Sequence, residues 1–390
     1  MYKIQTLNNI SVVGLETFPR DKYEIASEIQ NPDAILLRSF KMHDYPISPS
    51  LKAVGRAGAG VNNIPVDKLS QIGVPVFNTP GANANAVKEL VLAGMFLAAR
   101  NICQGWDYAR NLQGSDEEVS KQTESGKSKF AGFELPGRTL GVIGLGAIGV
   151  KVANAALSLG MKVIGYDPVI TVKNAWEVAS DVQQAVSLDD MLSKVDMVTF
   201  HVPLNDKTKN MLDANRINLM KKGVVILNFA RGGIVNDEAV CQAIQAGKVK
   251  GYVCDFPTNL LKNHPGVITL PHLGASTEEA EDNCAFMVSN QIRDFLENGN
   301  IVNSVNFPEV KMLRTESENR LAITNMNEPN MVAQISSDIG KNGLNILDML
   351  NKSKGNLAYT LMDLDKEVSD EVLQNIKNIK GVLSVRRVPV

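Results

Sequence analysis

The segment Gly144-Leu145-Gly146-Ala147-Ile148-Gly149 decides the predicted fold. An apolar run at residues 139–143 precedes it, and an alanine-rich stretch at residues 147–159 follows it. A second apolar run, residues 161–166, ends at Asp167. The order is strand, glycine loop, helix, strand, acid, which is typical of a dinucleotide-binding βαβ unit.

Each part of this unit has a physical task. Gly144 permits the tight turn, Gly146 lets the backbone approach a pyrophosphate, and Gly149 lets the helix pack close to the sheet. The helix N-terminus offers free N–H groups to the phosphates. Asp167 lies 18 residues after Gly149, where a carboxylate accepts bonds from both ribose hydroxyls and repels a 2′-phosphate. The sequence predicts NAD rather than NADP, and a glycine-rich turn without a ligand is the alternative.

Composition limits the class of protein. The chain has 390 residues, enough for two or three domains, and its net charge of −2 gives no argument for nucleic acid or an anionic membrane. No run reaches the roughly 18 apolar residues of a membrane helix, and the N-terminus lacks the apolar stretch of a signal peptide. The four cysteines have no metal-ligand spacing, so we expect reduced thiols, no metal and a cytoplasmic location.

The alternation of strands and helices predicts an α/β protein with two doubly wound, Rossmann-like parallel-sheet domains. We expect residues 98–279 to form the NAD-binding domain, and residues 1–97 with 280–305 to form a discontinuous substrate-binding domain. Residues 306–319 are predicted to be a linker, and the polar residues 111–136 a surface connection. The order of elements in residues 320–390 indicates a small βαββαβ domain.

Six segments resemble those of the D-isomer-specific 2-hydroxy acid dehydrogenases. In chain order they are Gly55 to Ile64, Asn78 to Asn83, Gly144 to Gly149, His201 to Leu204 with Thr208, Asn228 to Val235, and Pro271 to Thr277. The resemblance implies NAD-dependent hydride transfer to or from a 2-hydroxy acid. Residues 320–390 resemble an ACT domain, a small amino-acid-sensing module that many members of one branch of this family carry.

Two residues suit the chemistry of such an oxidation. Arg231 suits binding of the substrate carboxylate, because a planar guanidinium pairs with it and polarises the forming carbonyl. His272 suits the role of base, because imidazole titrates near neutral pH. The alternatives are a surface arginine in a glycine-rich turn and a structural histidine.

Two further residues are candidates for the proton transfer. The family usually orients its histidine with a glutamate, but residues 256–271 contain no acid, and Asn259 lies near the expected position. A neutral amide can orient the ring by a hydrogen bond. Lys88 could help to ionise the substrate hydroxyl, or it is a solvated helix lysine.

The resemblance also implies two sets of binding residues. The cofactor set is Gly144, Gly146, Ala147, Ile148, Gly149, Asp167, His201, Val202, Pro203, Thr208, Ala230, Asp255 and Gly274. The substrate set is Arg38, Ser39, Lys41, Arg56, Ala57, Gly58 and Asn78, together with Arg231 and His272.

Two basic loops favour a phosphorylated substrate. Arg38 and Lys41 follow one predicted strand and Arg56 the next, and loops at strand ends of an open α/β domain contact ligand. We therefore expect oxidation of D-3-phosphoglycerate to 3-phosphohydroxypyruvate, which begins the phosphorylated route to serine. The alternatives are a hydroxypyruvate or glyoxylate reductase and a catalytically quiet dinucleotide-sensing regulator.

The C-terminal module carries two expectations. Its exposed sheet edges favour pairing with a second copy, hence a homodimer or homotetramer. An effector such as L-serine would lie near Asn325, Asn327 and Asn345, although Pro329-Asn330 replaces the usual Pro-Gly pair. A module that only dimerises is the alternative.

Overall fold

A computed structural model describes residues 1–314 and 319–389. They form two compact units, Met1–Asn83 with Glu278–Val390, and Ala84–Thr277. The sequence places the corresponding boundaries after residues 97 and 279. The difference at the first boundary arises because one whole helix, residues 84–100, belongs to the second unit.

The first unit begins with a five-stranded sheet. Its strands are β1 (Tyr2–Leu7), β2 (Tyr23–Ala26), β3 (Ala34–Leu37), β4 (Ala53–Arg56) and β5 (Val76–Phe77), and its short helices are α1 (Val12–Leu15) and α2 (Val66–Gln71). The strand order is β2-β1-β3-β4-β5, and all pairs are parallel. Every residue of β3 is buried, as expected for a central strand covered on both faces.

The second unit contains a seven-stranded parallel sheet. Its strands are β6 (Thr139–Ile143), β7 (Lys162–Tyr166), β8 (Gln183–Gln184), β9 (Met197–Phe200), β10 (Val224–Asn228), β11 (Val249–Cys254) and β12 (Val267–Thr269). Its helices are α3 (Ala84–Arg100), α4 (Ile102–Arg110), α5 (Asp116–Gly126), α6 (Ala147–Ser158), α7 (Val172–Glu177), α8 (Leu188–Lys194), α9 (Ala214–Leu219) and α10 (Asp237–Gln245).

The strand order of this sheet is β12-β11-β10-β9-β6-β7-β8. The order reverses between β6 and β9, and the carboxyl ends of strands at such a point open the crevice in which dinucleotides bind. The prediction of a doubly wound parallel fold is confirmed.

Residues 111–136 are mostly exposed, and they contain a helix, α5, and a 3-10 turn, Lys127–Phe130, which the prediction of a surface connection did not include. A capping box begins α5: the Ser115 hydroxyl accepts from the Glu118 N–H, and the Glu118 carboxylate accepts from the Ser115 N–H at 2.7 Å. The spacing of Ser115 and Glu118 is a sequence signal for a helix N-terminus, whereas the polar composition of the segment favours a loop.

The remainder of the first unit contains α11 (Glu278–Asn298) and a four-stranded antiparallel sheet. Its strands are β13 (Asn319–Met326), β14 (Ile346–Lys354), β15 (Leu357–Leu364) and β16 (Val382–Val388), with helices α12 (Met331–Lys341) and α13 (Asp370–Asn378). The order β14-β15-β13-β16 confirms the predicted βαββαβ arrangement. We call residues 319–389 the C-terminal module.

The C-terminal module shares a hydrophobic core with the N-terminal sheet. Ala322, Tyr359, Leu361 and Val388 belong to the same buried cluster as Phe295 of α11. The described part of the predicted linker lies against this core as well: Asn306, Phe307, Val310 and Met312 are buried, and residues 315–318 lie outside the described residues. Within this unit the linker is therefore part of the packed structure.

Three arginines join the C-terminal end of α11 to the module. The last four carbonyl groups of a helix have no partner within it and carry its negative dipole end. Guanidinium groups bond to all four: Arg386 donates to Phe295 and Leu296, Arg314 to Glu297, and Arg320 to Asn298.

Arg320 is also half of a buried ion pair. Its Nε and Nη2 donate to the two carboxylate oxygens of Asp363 at 2.6 and 2.9 Å, and both side chains are 0% exposed. The same guanidinium donates to the carbonyls of Met312 and Leu313. This arrangement satisfies a charge that would otherwise be costly to bury.

Within residues 1–314 and 319–389, no helix is long and apolar enough to cross a membrane. No group of three or more His, Cys, Asp or Glu side chains in them could hold a metal ion. Cys103, Cys241, Cys254 and Cys284 are free.

Candidate functional site

The glycine loop after β6 has the geometry of a dinucleotide cradle. Gly144 has a φ of +88°, a left-handed conformation that disfavours a side chain. A Cβ at Gly149 would lie 1.9 Å from the carbonyl oxygen of Gly144. The first turn of α6 can therefore approach the loop this closely only if residue 149 is glycine. A Cβ at Gly146 would meet no protein atom within 4 Å, which leaves the backbone there open to a ligand.

Asp167 follows β7 and is bonded to this loop. Its carboxylate accepts from the N–H of Leu145 at 2.8 Å and from that of Val169 at 2.9 Å. The acid therefore lies beside the glycine loop, as the sequence predicts. Among the other predicted cofactor residues of the loop, Ala147 is exposed and Ile148 is partly buried.

The segment after β9 lies on the other side of the point where the strand order reverses. The His201 N–H donates to the carbonyl of Ile143 at 2.7 Å, and its ring Nε2 contacts the Thr199 hydroxyl at 3.0 Å. Burial lowers the pKa of His201 to about 3, so its ring is neutral at physiological pH. Thr208 closes the following turn by donating to the Pro203 carbonyl, and Val202 precedes that turn.

Together these residues fit a dinucleotide: an open glycine backbone, a helix N-terminus and an acid after the second strand. When bound, the cofactor would be held by the loop from Gly144 to Gly149 and by Asp167, and it would accept a hydride.

Arg231 lies in a turn directly after β10. Its Nη1 donates to the carbonyl of Ala230 at 2.7 Å, and the residue is partly buried. The side-chain amide of Asn228 fixes this turn. It accepts from the Ala230 N–H and donates to the Arg231 carbonyl. Asn228 is not among the predicted site residues, although it lies at a strand end in one of the six segments that resemble the family.

His272 lies in a turn that Asp255 holds. Asp255 is 0% exposed; its carboxylate accepts from the N–H groups of Leu273 and Gly274 at 2.8 Å each, and its carbonyl accepts from the His272 N–H. Burial raises the pKa of Asp255, and these N–H groups oppose the rise. His272 is exposed and has a φ of +57°, a left-handed conformation.

The ring of His272 packs edge-on against Phe256, with centroids 5.1 Å apart. Asn259, the predicted orienting residue, is exposed, and no hydrogen bond joins it to His272 in the part of the chain that the structure describes. The structure thus brings an aromatic ring, and not an amide, to this imidazole, and the role of Asn259 stays a prediction.

Lys88 lies in the first turns of α3. Its Nζ donates to the Asn85 side chain at 2.7 Å and is 3.7 Å from the Glu89 carboxylate. Its side chain is 22% exposed. Its role in ionising the hydroxyl also stays a prediction.

The two basic loops of the first unit lie side by side. Leu37 of β3 pairs with Arg56 of β4, and Arg56 Nε donates to the Arg38 carbonyl at 3.0 Å. Burial raises the pKa of the Cys284 thiol on α11. The positive charges of Arg38 and Arg56 oppose this rise, which places both arginines near the thiol. Arg38 pairs with Glu281 at 2.7 Å, a contact that the sequence does not predict.

Two other predicted substrate residues of the first unit, Gly58 and Asn78, contact the loop that follows β4. A Cβ at Gly58 would lie 2.4 Å from Arg56 Nη1, so the guanidinium folds over this glycine. Asn78 donates to the Ala59 carbonyl at 2.6 Å and fixes the same loop. Ala57 is buried, whereas Ser39 and Lys41 are exposed.

Comparison with known proteins decides the family. The model of the D-isomer specific 2-hydroxyacid dehydrogenase NAD binding domain matches residues 102–274. The chain is 32% identical to D-3-phosphoglycerate dehydrogenase of Haemophilus influenzae, over 98% of this chain and 93% of that one. The chain belongs to the D-3-phosphoglycerate dehydrogenase family.

Other members of the family agree with this assignment. The D-3-phosphoglycerate dehydrogenase of Escherichia coli K12 is 32% identical over 86% of this chain and 81% of that protein. The NAD⁺-bound 3-phosphoglycerate dehydrogenase of Entamoeba histolytica superposes with a TM-score of 0.61 at 25% identity, covering 80% and 99% of the two chains. The prediction of NAD as cofactor is confirmed for this D-3-phosphoglycerate dehydrogenase family member.

Replacing Asp167 by Ser is expected to narrow the preference for NADH over NADPH. We expect the Asp167 carboxylate to accept bonds from both ribose hydroxyls and to repel a 2′-phosphate, whereas a serine hydroxyl is neutral and does not repel it. The measurement is the ratio of kcat/KM for the two cofactors, with Asp189→Ser on the exposed surface as control. Equal use of NADPH by the unmodified enzyme would contradict the role of Asp167.

Proposed function

We propose that this protein oxidises D-3-phosphoglycerate to 3-phosphohydroxypyruvate with NAD, the first step of the phosphorylated route to serine. The observation that carries the choice of substrate is the pair Arg38 and Arg56 at neighbouring strand ends. A phosphoryl group brings about two negative charges, and guanidinium groups bind it by paired, charge-assisted bonds. An unphosphorylated 2-hydroxy acid offers no second anion for them.

In the proposed mechanism each side chain has one task. Arg231 binds the C1 carboxylate and stabilises negative charge on the C2 oxygen as the carbonyl forms. His272 accepts the proton of the C2 hydroxyl at a ring nitrogen, while the C2 hydrogen leaves as hydride. In the reverse direction His272 returns this proton to the C2 oxygen.

The surroundings of His272 give this proton transfer its geometry. The turn around it is held by Asp255, and its ring lies against Phe256. His201 remains neutral at the working pH. Its ring therefore adds no positive charge to that of Arg231.

The assay that tests this function is steady-state NADH oxidation with 3-phosphohydroxypyruvate, compared with hydroxypyruvate and glyoxylate. We expect the phosphorylated 2-oxo acid to give the highest kcat/KM. A higher value with hydroxypyruvate or glyoxylate would favour a reductase on the same fold. NADH binding without turnover of any of the three would favour a dinucleotide-sensing regulator.

Replacing Arg38 or Arg56 by Ala is expected to raise KM for 3-phosphohydroxypyruvate far more than KM for hydroxypyruvate. Each substitution removes a guanidinium that we assign to the phosphate, which hydroxypyruvate lacks. Arg20→Ala, an exposed arginine of the same unit, is the control. Equal increases for both substrates would indicate a structural role for the two arginines.

We propose that the protein forms a homo-oligomer, a dimer or tetramer, through its C-terminal module. β14 is an edge strand of the four-stranded sheet, and Leu347 and Met349 on it are 50% and 36% exposed. Edge strands expose backbone groups that a second strand can pair. A monomeric mass by light scattering would contradict this.

We also propose that this module is an ACT domain that binds L-serine. Asn325 is 1% exposed, and its Oδ1 has no hydrogen-bond partner among residues 1–314 and 319–389. Asn327 and Asn345 are exposed near the ends of the adjoining elements. Asn330, in place of the usual glycine, adopts a left-handed φ of +68°, which asparagine tolerates better than most residues.

A serine titration at subsaturating substrate tests the effector. Millimolar L-serine should lower the activity of the wild type, and Asn345→Ala should weaken this response. If millimolar L-serine does not inhibit the wild type, the proposed effector is wrong, and oligomerisation remains as the role of the module.

A further inference from the structure

We infer that Asn228 is a positioning residue that fixes Arg231 for the reaction. Asn228 is the last residue of β10 and is 1% exposed. The inference rests on the proposed function, because it takes Arg231 as the group that binds the substrate carboxylate. Asn228 itself is buried below the turn and acts through that arginine.

Both ends of the Asn228 amide bond to the turn that carries Arg231. Oδ1 accepts from the Ala230 N–H at 3.2 Å, and Nδ2 donates to the Arg231 carbonyl at 2.8 Å. β10 has already ended, so its ladder no longer fixes these two backbone groups. An asparagine side chain supplies an acceptor and a donor on one short stem and closes the turn in place of the ladder.

The amide is itself held by the neighbouring strand. Its Nδ2 lies 3.4 Å from the hydroxyl oxygen of Tyr252, which is 2% exposed on β11. Burial raises the pKa of Tyr252 well above its usual value, so the phenol is neutral at any working pH. The support below Arg231 therefore does not change with protonation of this tyrosine.

Hydrogen bonds connect the Arg231 turn to the His272 turn. The Asn228 carbonyl accepts from the Asp255 N–H at 3.2 Å, and Asp255 holds the N–H groups of residues 272–274. Two buried polar side chains at adjacent strand ends thus each fix one turn, and their backbones bond to each other. A displacement of about 1 Å in a reacting group can cost about 10²-fold in rate, so this geometry bears on kcat.

A double-mutant cycle of Asn228→Asp and Arg231→Lys tests the inference. Aspartate keeps an acceptor for the Ala230 N–H and removes the donor to the Arg231 carbonyl. Asn228→Asp should lower kcat by about 10- to 100-fold, because it lets the arginine turn shift. The dissociation constant of NADH should change far less than kcat, because aspartate keeps the acceptor for the Ala230 N–H and the glycine loop and Asp167 follow other strands. In the Arg231→Lys background the same substitution should have little further effect.

Asn306 provides a matched control. It is a buried asparagine, 9% exposed, whose Oδ1 accepts from the Val76 N–H at 2.9 Å and whose Nδ2 donates to the Val74 carbonyl at 3.0 Å. Asn306→Asp and Asn228→Asp should both lower the midpoint of thermal unfolding, but Asn306→Asp should retain kcat. Additive effects in the cycle, or an equal loss of kcat in Asn306→Asp, would overturn the positioning role.

Misfolding of Asn228→Asp and a wrong substrate can each be distinguished from failure of the inference. If Asn228→Asp does not fold, Tyr252→Phe removes the support of the amide and should lower kcat a few-fold at unchanged NADH affinity; an unchanged kcat overturns the inference. If the wild type does not reduce 3-phosphohydroxypyruvate, the proposed substrate is wrong, and the cycle is run with the 2-oxo acid that the wild type does reduce.

Discussion

Replacement of Arg231 by Ala is expected to lower kcat/KM by about 10²- to 10³-fold, or about 2.7–4 kcal/mol of transition-state stabilisation. The guanidinium is the group that we assign to the carboxylate and to the negative charge that develops on the C2 oxygen. Arg231→Lys should recover only part of the activity, because an ammonium keeps the charge and loses the paired geometry. The measurement is steady-state kinetics with 3-phosphohydroxypyruvate and NADH.

The control for this substitution is Arg216→Ala in the same unit. Arg216 is also a partly exposed arginine, and its Nε lies 2.9 Å from the Asp189 carboxylate. Its loss should leave kcat/KM within a factor of about two, as for surface pairs that contribute little. Near-wild-type turnover by folded Arg231→Ala would remove this arginine from the site.

Replacement of Arg320 by Ala is expected to destabilise the first unit by about 3–5 kcal/mol, the cost of removing one partner from a buried ion pair. Asp363 would lose both bonds from the guanidinium, and the carbonyls of Asn298, Met312 and Leu313 would lose their donor. Denaturant unfolding measures the shift.

Two variants complete this experiment. Arg387→Ala removes a pair whose Asp370 side chain is 92% exposed, together with the donor to the Val368 carbonyl, and it should cost about 1–2 kcal/mol, less than Arg320→Ala. The double variant Arg320→Met, Asp363→Leu should regain part of the loss, because apolar residues need no counter-charge. A loss in Arg320→Ala no larger than that in Arg387→Ala would show that the buried pair contributes little.

The dinucleotide-binding unit could be predicted from sequence because steric limits select residue types locally. Gly149 is required where a Cβ would lie 1.9 Å from a backbone oxygen, and Gly144 where φ is +88°. Such constraints act within a few residues, so the required glycines occur at a fixed spacing that can be recognised in the sequence. The same holds for Asp167, whose place follows from the length of one βαβ unit.

Other features could not be predicted, because they depend on residues far apart in the chain. Nothing local to Arg38 indicates that Glu281 would pair with it. The environment of His272 is a second example: the sequence places Asn259 at the expected distance, whereas the folded loop brings Phe256 to the ring. Sequence position fixes separation along the chain, and it leaves the direction of a loop side chain undetermined.

The attachment of the C-terminal module has a consequence for how this family member can change over evolutionary time. The guanidinium groups of Arg314, Arg320 and Arg386 recognise main-chain oxygens of residues 295–298, which every amino acid provides. These hydrogen bonds therefore do not depend on which side chains the helix carries at residues 295–298, but they do require the three arginines. Drift at exposed positions near the end of the helix should be tolerated, while loss of one arginine should not. A module transplanted from a relative would need the two arginines of the module, Arg314 of the preceding segment and a matching apolar face more than a matching helix sequence.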